Sequence, residues 1–231
     1  MESILVSKNL KKAYSGKIAL NGLDMDIKLG RIVGLLGPNG SGKTTFMKIA
    51  AGLLRPQVGE LLIDGSKVGL YTKSIVSYLP DKDYLYKWMK IDDAVNFYED
   101  FYKDFDKKKA YELLDFMKLD RGSKINSLSK GMMEKLNLTL TISRKAKLYI
   151  LDEPLGGVDP TTREKIIDTI IQSFREDSSM IISTHQVSAI ERLFDDVYFI
   201  SEGKIVLEGD AEELRNERNM SIDELFREVF K

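Results

Sequence analysis

Gly37-Pro38-Asn39-Gly40-Ser41-Gly42-Lys43-Thr44-Thr45 is the stretch on which the fold turns. It satisfies the spacing G-x-x-x-x-G-K-[ST]. The residues before it, Arg31-Ile32-Val33-Gly34-Leu35-Leu36, read as a buried strand, and those after it, 46–52, read as a helix. A strand, a glycine-rich loop and a helix in that order form the setting in which such a loop cradles phosphate. Glycines let the backbone turn without side-chain clash, so that successive N–H groups face one anion. A helix starting near Lys43 adds the positive end of its dipole. In this pattern Lys43 reaches the β- and γ-phosphates and the Thr44 hydroxyl sits on Mg²⁺. A plain glycine turn without a ligand leaves the agreement of pattern and context unexplained.

Composition narrows the rest. The chain has 231 residues, enough for one large domain with a subdomain, and its 43% apolar content supplies a core. A formal net charge of −1 argues against a nucleic-acid surface built on bulk charge. There is no cysteine, which excludes disulfides and thiolate metal sites and fits a reducing compartment. The start, Met1-Glu2-Ser3-Ile4-Leu5-Val6, lacks the basic-then-apolar layout of a signal peptide. No apolar run approaches the ~20 residues that span a bilayer as a helix. Any membrane path must therefore come from another chain.

Residues 4–29 alternate apolar and polar and break at Ser15-Gly16 and Asn21-Gly22, which predicts antiparallel strands. After the loop and its helix, Pro56 and Gly59 stop the helix. Residues 60–63 and 75–79 are short strand candidates, with an Asp64-Gly65 turn between them. The character then changes. Ile91, Ala94, Val95, Tyr98, Phe101 and Tyr102 recur at helical spacing, as do Ala110, Leu113, Leu114 and Met117. From Lys147 onward strand and helix signals alternate: strands at 148–151, 180–183 and 197–200, helices at 160–174 and 187–194. Such alternation predicts crossover units in a mostly parallel sheet. Ser221 with Glu224 three residues on is a capping box opening an amphipathic C-terminal helix.

A second motif lies roughly a hundred residues after the loop. Leu148-Tyr149-Ile150-Leu151-Asp152-Glu153 is an apolar strand ending in two acids. In a phosphate-loop fold, a strand beside the loop delivers an acid to Mg²⁺, a role that suits Asp152. Glu153 stands where a carboxylate can polarise water for in-line attack.

With these residues in view, the chain resembles the ATP-binding subunit of an ABC (ATP-binding cassette) transporter. The likeness runs from Tyr14 to His185 with the motifs in family order. It implies that Tyr14 stacks on adenine and that residues 37–45 (Gly37, Pro38, Asn39, Gly40, Ser41, Gly42, Lys43, Thr44 and Thr45) hold the phosphates. Leu128-Ser129-Lys130-Gly131-Met132 falls at the family signature, in which Ser129 and Gly131 contact nucleotide. Asp152 and Glu153 match the magnesium acid and the catalytic glutamate. Gly156-Gly157-Val158-Asp159 matches the loop that crosses to a partner, and His185 the switch histidine at the γ-phosphate. Ser129 opens a helix to about Thr141, whose N-terminal N–H groups form a second anion site. The likeness implies that the two anion sites meet head to tail between two subunits, homodimeric or paralogous.

Three departures stand out. Asp81 replaces the usual glutamine at the end of 75–80; it keeps an oxygen for Mg²⁺ but adds a charge beside the triphosphate. Lys130 and Met132 replace glycine and glutamine in the signature, a form similar to the ATPases of ABC-2-type exporters. The aromatic run Tyr84-Leu85-Tyr86-Lys87-Trp88-Met89 follows Asp81, where the family cups a short helix of its membrane subunit, and exposed aromatics suit such contact.

The expected fold is α/β, a P-loop NTPase with a mostly parallel central sheet, an N-terminal antiparallel β subdomain and an inserted helical subdomain. The expected organisation is one domain over 1–231, with 1–80 and 144–231 as nucleotide-binding core and 81–143 as helical subdomain. The likeness implies an ATPase using MgATP, a second ATPase subunit, an integral membrane subunit, export, a cytoplasmic location on the inner face of the membrane, and no nucleic acid. Three rivals remain: a non-transport ABC ATPase of DNA repair or translation, a GTPase or small-molecule kinase, and a non-catalytic nucleotide-gated module. The first lacks its coiled coils or basic arms here, the second its Asn-Lys-x-Asp stretch, and the third conflicts with Lys43, Asp152 and Glu153.

Overall fold

The computed structural model describes residues 2–82, 84–156 and 158–231. Its centre is a six-stranded sheet of β3 (Ile32–Leu36), β6 (Val76–Leu79), β7 (Leu148–Asp152), β8 (Ser179–Thr184), β9 (Asp196–Ser201) and β10 (Lys204–Asp210). The spatial order is β10-β9-β3-β8-β7-β6, with every pair parallel except β9–β10. β3, β7 and β8 are buried along their whole length, as strands covered on both faces must be.

Strand alternation divides the interior in two. Val33, Leu35, Leu148 and Ile150 face one core, and Ile32, Leu36, Tyr149 and Leu151 face the other. The first core is closed by α1 (Lys43–Ala50) and by a four-stranded antiparallel sheet. That sheet contains β1 (Ser3–Tyr14), β2 (Lys17–Lys28), β4 (Val58–Ile63) and β5 (Ser66–Lys67), ordered β2-β1-β4-β5. Phe46 and Met47 of α1 are fully buried there; burying such side chains is worth about 2–3 kcal/mol each.

The second core is covered by helices α3 (Ile91–Phe101), α4 (Lys107–Phe116), α5 (Lys130–Ile142), α6 (Pro160–Ser173), α7 (Ala211–Arg218) and α8 (Ile222–Val229). Their starts follow local rules. Asp106, Ser129, Asp159, Asp210 and Ser221 each cap a helix by accepting a first-turn N–H, and Ser221 with Glu224 forms the expected capping box.

Several local expectations needed correction. Asn21-Gly22 does not break a strand. One extra residue on β1 between Ser7 and Leu10 is answered by one extra on β2 between Leu23 and Asn21, so paired bulges restore the register. Asn9 and Gly22 take the positive φ values, 49° and 81°, that these bulges need. The helix expected over 187–194 is two short 3₁₀ turns, Val187–Ala189 and Glu191–Leu193. Asp64-Gly65 is a two-residue hairpin turn into β5, after which α2 (Leu70–Ile75) leads into β6. β5, α2, β10 and α7 were not anticipated. In α3, Tyr98 is buried but Phe101 is 69% exposed, so not every ring at helical spacing is core.

Candidate active site

The C-terminal ends of β3, β7 and β8 lie side by side, so the segments that follow them converge. β8 intervenes between β3 and β7, so the carboxylate strand is one place removed from the loop strand. A cleft of about 460 Å³ opens at this edge. Its walls include residues 39–45, Asp81, Glu153 and His185.

The loop is shaped by glycines at two close approaches. A Cβ on Gly37 would stand 2.4 Å from the Ile200 carbonyl, and one on Gly42 2.5 Å from the Ala19 carbonyl. Gly42, at φ 117°, caps α1 without a side-chain acceptor, which leaves the first-turn N–H groups to the cleft. The buried Ser41 hydroxyl has no hydrogen-bond partner among the described residues. An orphaned donor and a free helix start in one loop suit an anionic ligand.

Lys43 is almost fully buried. Its ammonium donates to the Gly37 carbonyl at 2.6 Å and the Pro38 carbonyl at 3.2 Å, and lies 3.7 Å from Glu153 Oε1. Burial pulls its pKa down, opposed by the charges of Glu153 and Asp152. Thr44 Oγ1 donates to Asp152 Oδ1 at 3.3 Å. Ser183 Oγ donates to the same oxygen at 2.7 Å, and the Tyr78 hydroxyl to Oδ2 at 3.4 Å. Burial pushes the Asp152 carboxyl above its ordinary range, partly offset by the Ser183 and Thr44 bonds; Asp81 and Glu153 push it further up. Such a carboxylate gains from a cation. A hydroxyl and a carboxylate are hard oxygens of the kind Mg²⁺ takes. Among the described residues no cluster of three or more His, Asp or Glu could hold a metal alone. One or two protein oxygens completed by substrate phosphates is the usual magnesium arrangement.

Glu153 leaves the sheet with φ 52°, a left-handed conformation that costs a residue with a Cβ about 1–3 kcal/mol. Its N–H is held by the Ser183 side chain at 3.0 Å and the Ser183 carbonyl at 3.2 Å. His185 Nδ1 pairs with Glu153 Oε2 at 3.0 Å. The Glu153 carboxylate thus lies between Lys43 and His185.

Lys43, Thr44, Asp81, Glu153 and His185 thus meet in the cleft, with Asp152 bonded to Thr44 at its floor. Other expected residues stand apart. Tyr14, 44% exposed at the end of β1, is not in the cleft wall; Ala19 is. Ser129 caps α5 through Met132 N at 3.3 Å, and Gly131 lies against Thr162 and Asp159; neither lines the cleft, although Lys130 does. Gly157 lies outside the described residues. Ser183, Tyr78 and Gln186 were missed. Ser183 interrupts the apolar run Met180-Ile181-Ile182, the one signal that could have marked it.

Comparison with known proteins places this geometry. Residues 20–156 match the family model described as ABC transporter. The lantibiotic transport ATP-binding protein SrtF of Streptococcus pyogenes is 32% identical over 226 residues, covering 96% of both chains. A solved structure of the ATP-binding subunit of an ABC transporter superposes with a TM-score of 0.89 at 25% identity, over 99% of this chain and 100% of that one. A dimeric ATP-binding cassette in a post-hydrolysis state with ADP and Pi shares the fold, with a TM-score of 0.79 at 23% identity, over 89% and 98%.

Proposed function

The chain belongs to the ATP-binding proteins of the ABC transporter family, and from that premise we propose that it powers export through a separate membrane subunit, working as a head-to-tail pair on two MgATP. It is an ATPase subunit of the P-loop fold. The observation that carries the residue assignments is the meeting of Lys43, Thr44, Asp152, Glu153 and His185 at one sheet edge.

In this reading the loop amides of 37–45 and Lys43 hold the triphosphate, the ammonium leaving the Gly37 and Pro38 carbonyls for phosphate oxygens. Thr44 and Asp152, with Asp81 nearby, would hold Mg²⁺, which when bound neutralises charge on the β- and γ-phosphates. Glu153 accepts the proton of the attacking water, and His185 holds the Glu153 carboxylate and completes the γ-phosphate site. Tyr14, exposed at the end of β1, would stack on adenine. Ser129 and Gly131 stand outside the cleft of their own chain, as residues that serve a partner's nucleotide would. Catalysis is then positioning plus charge stabilisation.

Among the described residues no helix is long and apolar enough to cross a membrane. The protein would lie on the cytoplasmic face of the membrane. Tyr86 and Trp88, stacked at 6.0 Å and 58% and 69% exposed, offer a contact for that subunit. The Lys130-containing signature and the lantibiotic-transport relative favour export.

The test is a mild-detergent pull-down of tagged Glu153→Gln protein with MgATP. Recovery of a multi-span membrane protein supports the transporter reading. Repeated recovery of only soluble or nucleic-acid partners supports a role in DNA repair or translation instead.

A further inference from the structure

Gln186 lines the cleft beside His185 and has no part in the site as assigned so far. It is half-buried and held at two points. Its backbone N–H donates to Thr184 Oγ1 at 2.9 Å, which ties the residue to the end of β8. Its side-chain Oε1 accepts from Arg163 Nη2 at 3.1 Å.

The second bond fixes which way the amide points. A guanidinium has donors and no acceptor, so only the oxygen of the amide can face it. The NH₂ end of Gln186 is then turned away from Arg163, and it donates to no protein acceptor among the described residues. Arg163 is placed for this by α6: it lies in the first turn, where its N–H donates to the Asp159 carbonyl at 2.9 Å. Its side chain has no carboxylate partner among the described residues, and its Nε is buried without an acceptor. The Gln186 oxygen is therefore the side-chain acceptor that this cation keeps, in a charge-assisted bond.

The remaining wall explains what a free amide donor would serve. Asp81 and Glu153, which also line the cleft, offer carboxylate oxygens. Gln186 follows directly on His185, whose ring is bonded to Glu153, so its amide belongs to the end of the cleft that carries the carboxylate and the histidine.

We propose that Gln186 is a further phosphate-recognising residue, its amide donating to the terminal phosphate of a bound nucleoside triphosphate, and that Arg163 is the positioning residue that aims it. This rests on the reading of the cleft as the nucleotide site. A diphosphate leaves the amide unpaired, so the contact favours triphosphate over diphosphate. The oriented dipole is in place before the ligand arrives and costs no reorganisation.

The experiment measures, by calorimetric titration with Mg²⁺, the affinities for a non-hydrolysable ATP analogue and for ADP. Gln186→Ala should lower the preference for the triphosphate roughly tenfold, the low end for a hydrogen bond to a charged group. Gln186→Glu, which removes the donor and adds a negative charge, should lower it at least as far. Equal losses for both nucleotides, or none, overturn the inference. Arg163→Met should reproduce the loss in the parent and add nothing in the Gln186→Ala background. An equal further loss in both backgrounds, or none in the parent, overturns the positioning role. If Arg163→Met does not fold, as thermal denaturation would show, Arg163→Lys takes its place in the same cycle. Lys43→Ala is run beside them: if it binds both nucleotides like the parent, the reading of the cleft itself has failed.

Discussion

His185 Nδ1 stands 3.0 Å from Glu153 Oε2 although 32 residues separate them in sequence. The pair exists because β7 and β8 are parallel neighbours in which Asp152 is level with Ser183, so that both chains turn out of the sheet together. Glu153→Gln should keep nucleotide binding and lose turnover by about 10²–10⁴-fold, the range for removing a general base. An ATP-bound dimer then accumulates and is read by size-exclusion with MgATP. His185→Ala should lower kcat with little change in nucleotide affinity. If Glu153→Gln hydrolyses at the parent rate, Glu153 is not the base.

Asp152 should trade stability for function. Burial holds its folded-state pKa above the unfolded value. The folded chain thus binds that proton more tightly, and ionisation costs stability as pH rises past the unfolded value, in full above the folded one. At pH 7 the penalty is present. Asp152→Asn should raise the nucleotide-free melting midpoint, and the gain should shrink as pH falls through the raised value. Magnesium-dependent stabilisation by ATP should be lost at the same time. A lower midpoint at pH 7 would refute the desolvation account.

Asp81 puts a carboxylate into the cleft wall. Asp81→Gln should shift the Mg²⁺ dependence of hydrolysis by roughly three- to tenfold. Identical titrations and rates in the two proteins would show that Asp81 takes no part at the metal.

The loop glycines should differ in a graded way. Gly42→Ala meets both a φ of 117° and the Ala19 carbonyl at 2.5 Å, whereas Gly40→Ala meets φ 82° with open space. Thermal denaturation should show Gly40→Ala losing about 1–2 kcal/mol from the backbone alone. Gly42→Ala should lose more, by the further 1–3 kcal/mol typical of overpacking. Equal losses would mean the carbonyl contact is relieved at no cost.

Arg144 is 4% exposed and holds Asp104, two backbone carbonyls and the Tyr102 ring at 4.1 Å. Arg144→Ala leaves these acceptors without their donor and should cost about 3–5 kcal/mol, the scale for breaking a buried ion pair. Chemical denaturation measures it. A loss under 1 kcal/mol would mean that water replaces the guanidinium.

The sequence alone determined the phosphate loop, the acid pair that ends β7 and follows it, the cap of α5 and the capping box of α8. Each is a local pattern whose meaning depends on spacing along the chain, and the strand and helix periods are local too. Residues 148–151 read in the sequence only as one apolar run; the structure divides them between two cores, because successive strand residues point to opposite faces. What spacing cannot carry is lateral order. Only the tertiary structure placed β8 between β3 and β7, brought Ser183 to Asp152 and His185 to Glu153, and set Lys130 rather than Ser129 in the cleft wall. It also turned Asn21-Gly22 from a strand break into a bulge, since a bulge is defined by the partner strand's register and that register lies outside the residue's own neighbourhood. Hydrogen-bond partners across a parallel sheet are chosen by how crossovers pack, a decision made by the buried faces of the whole chain at once.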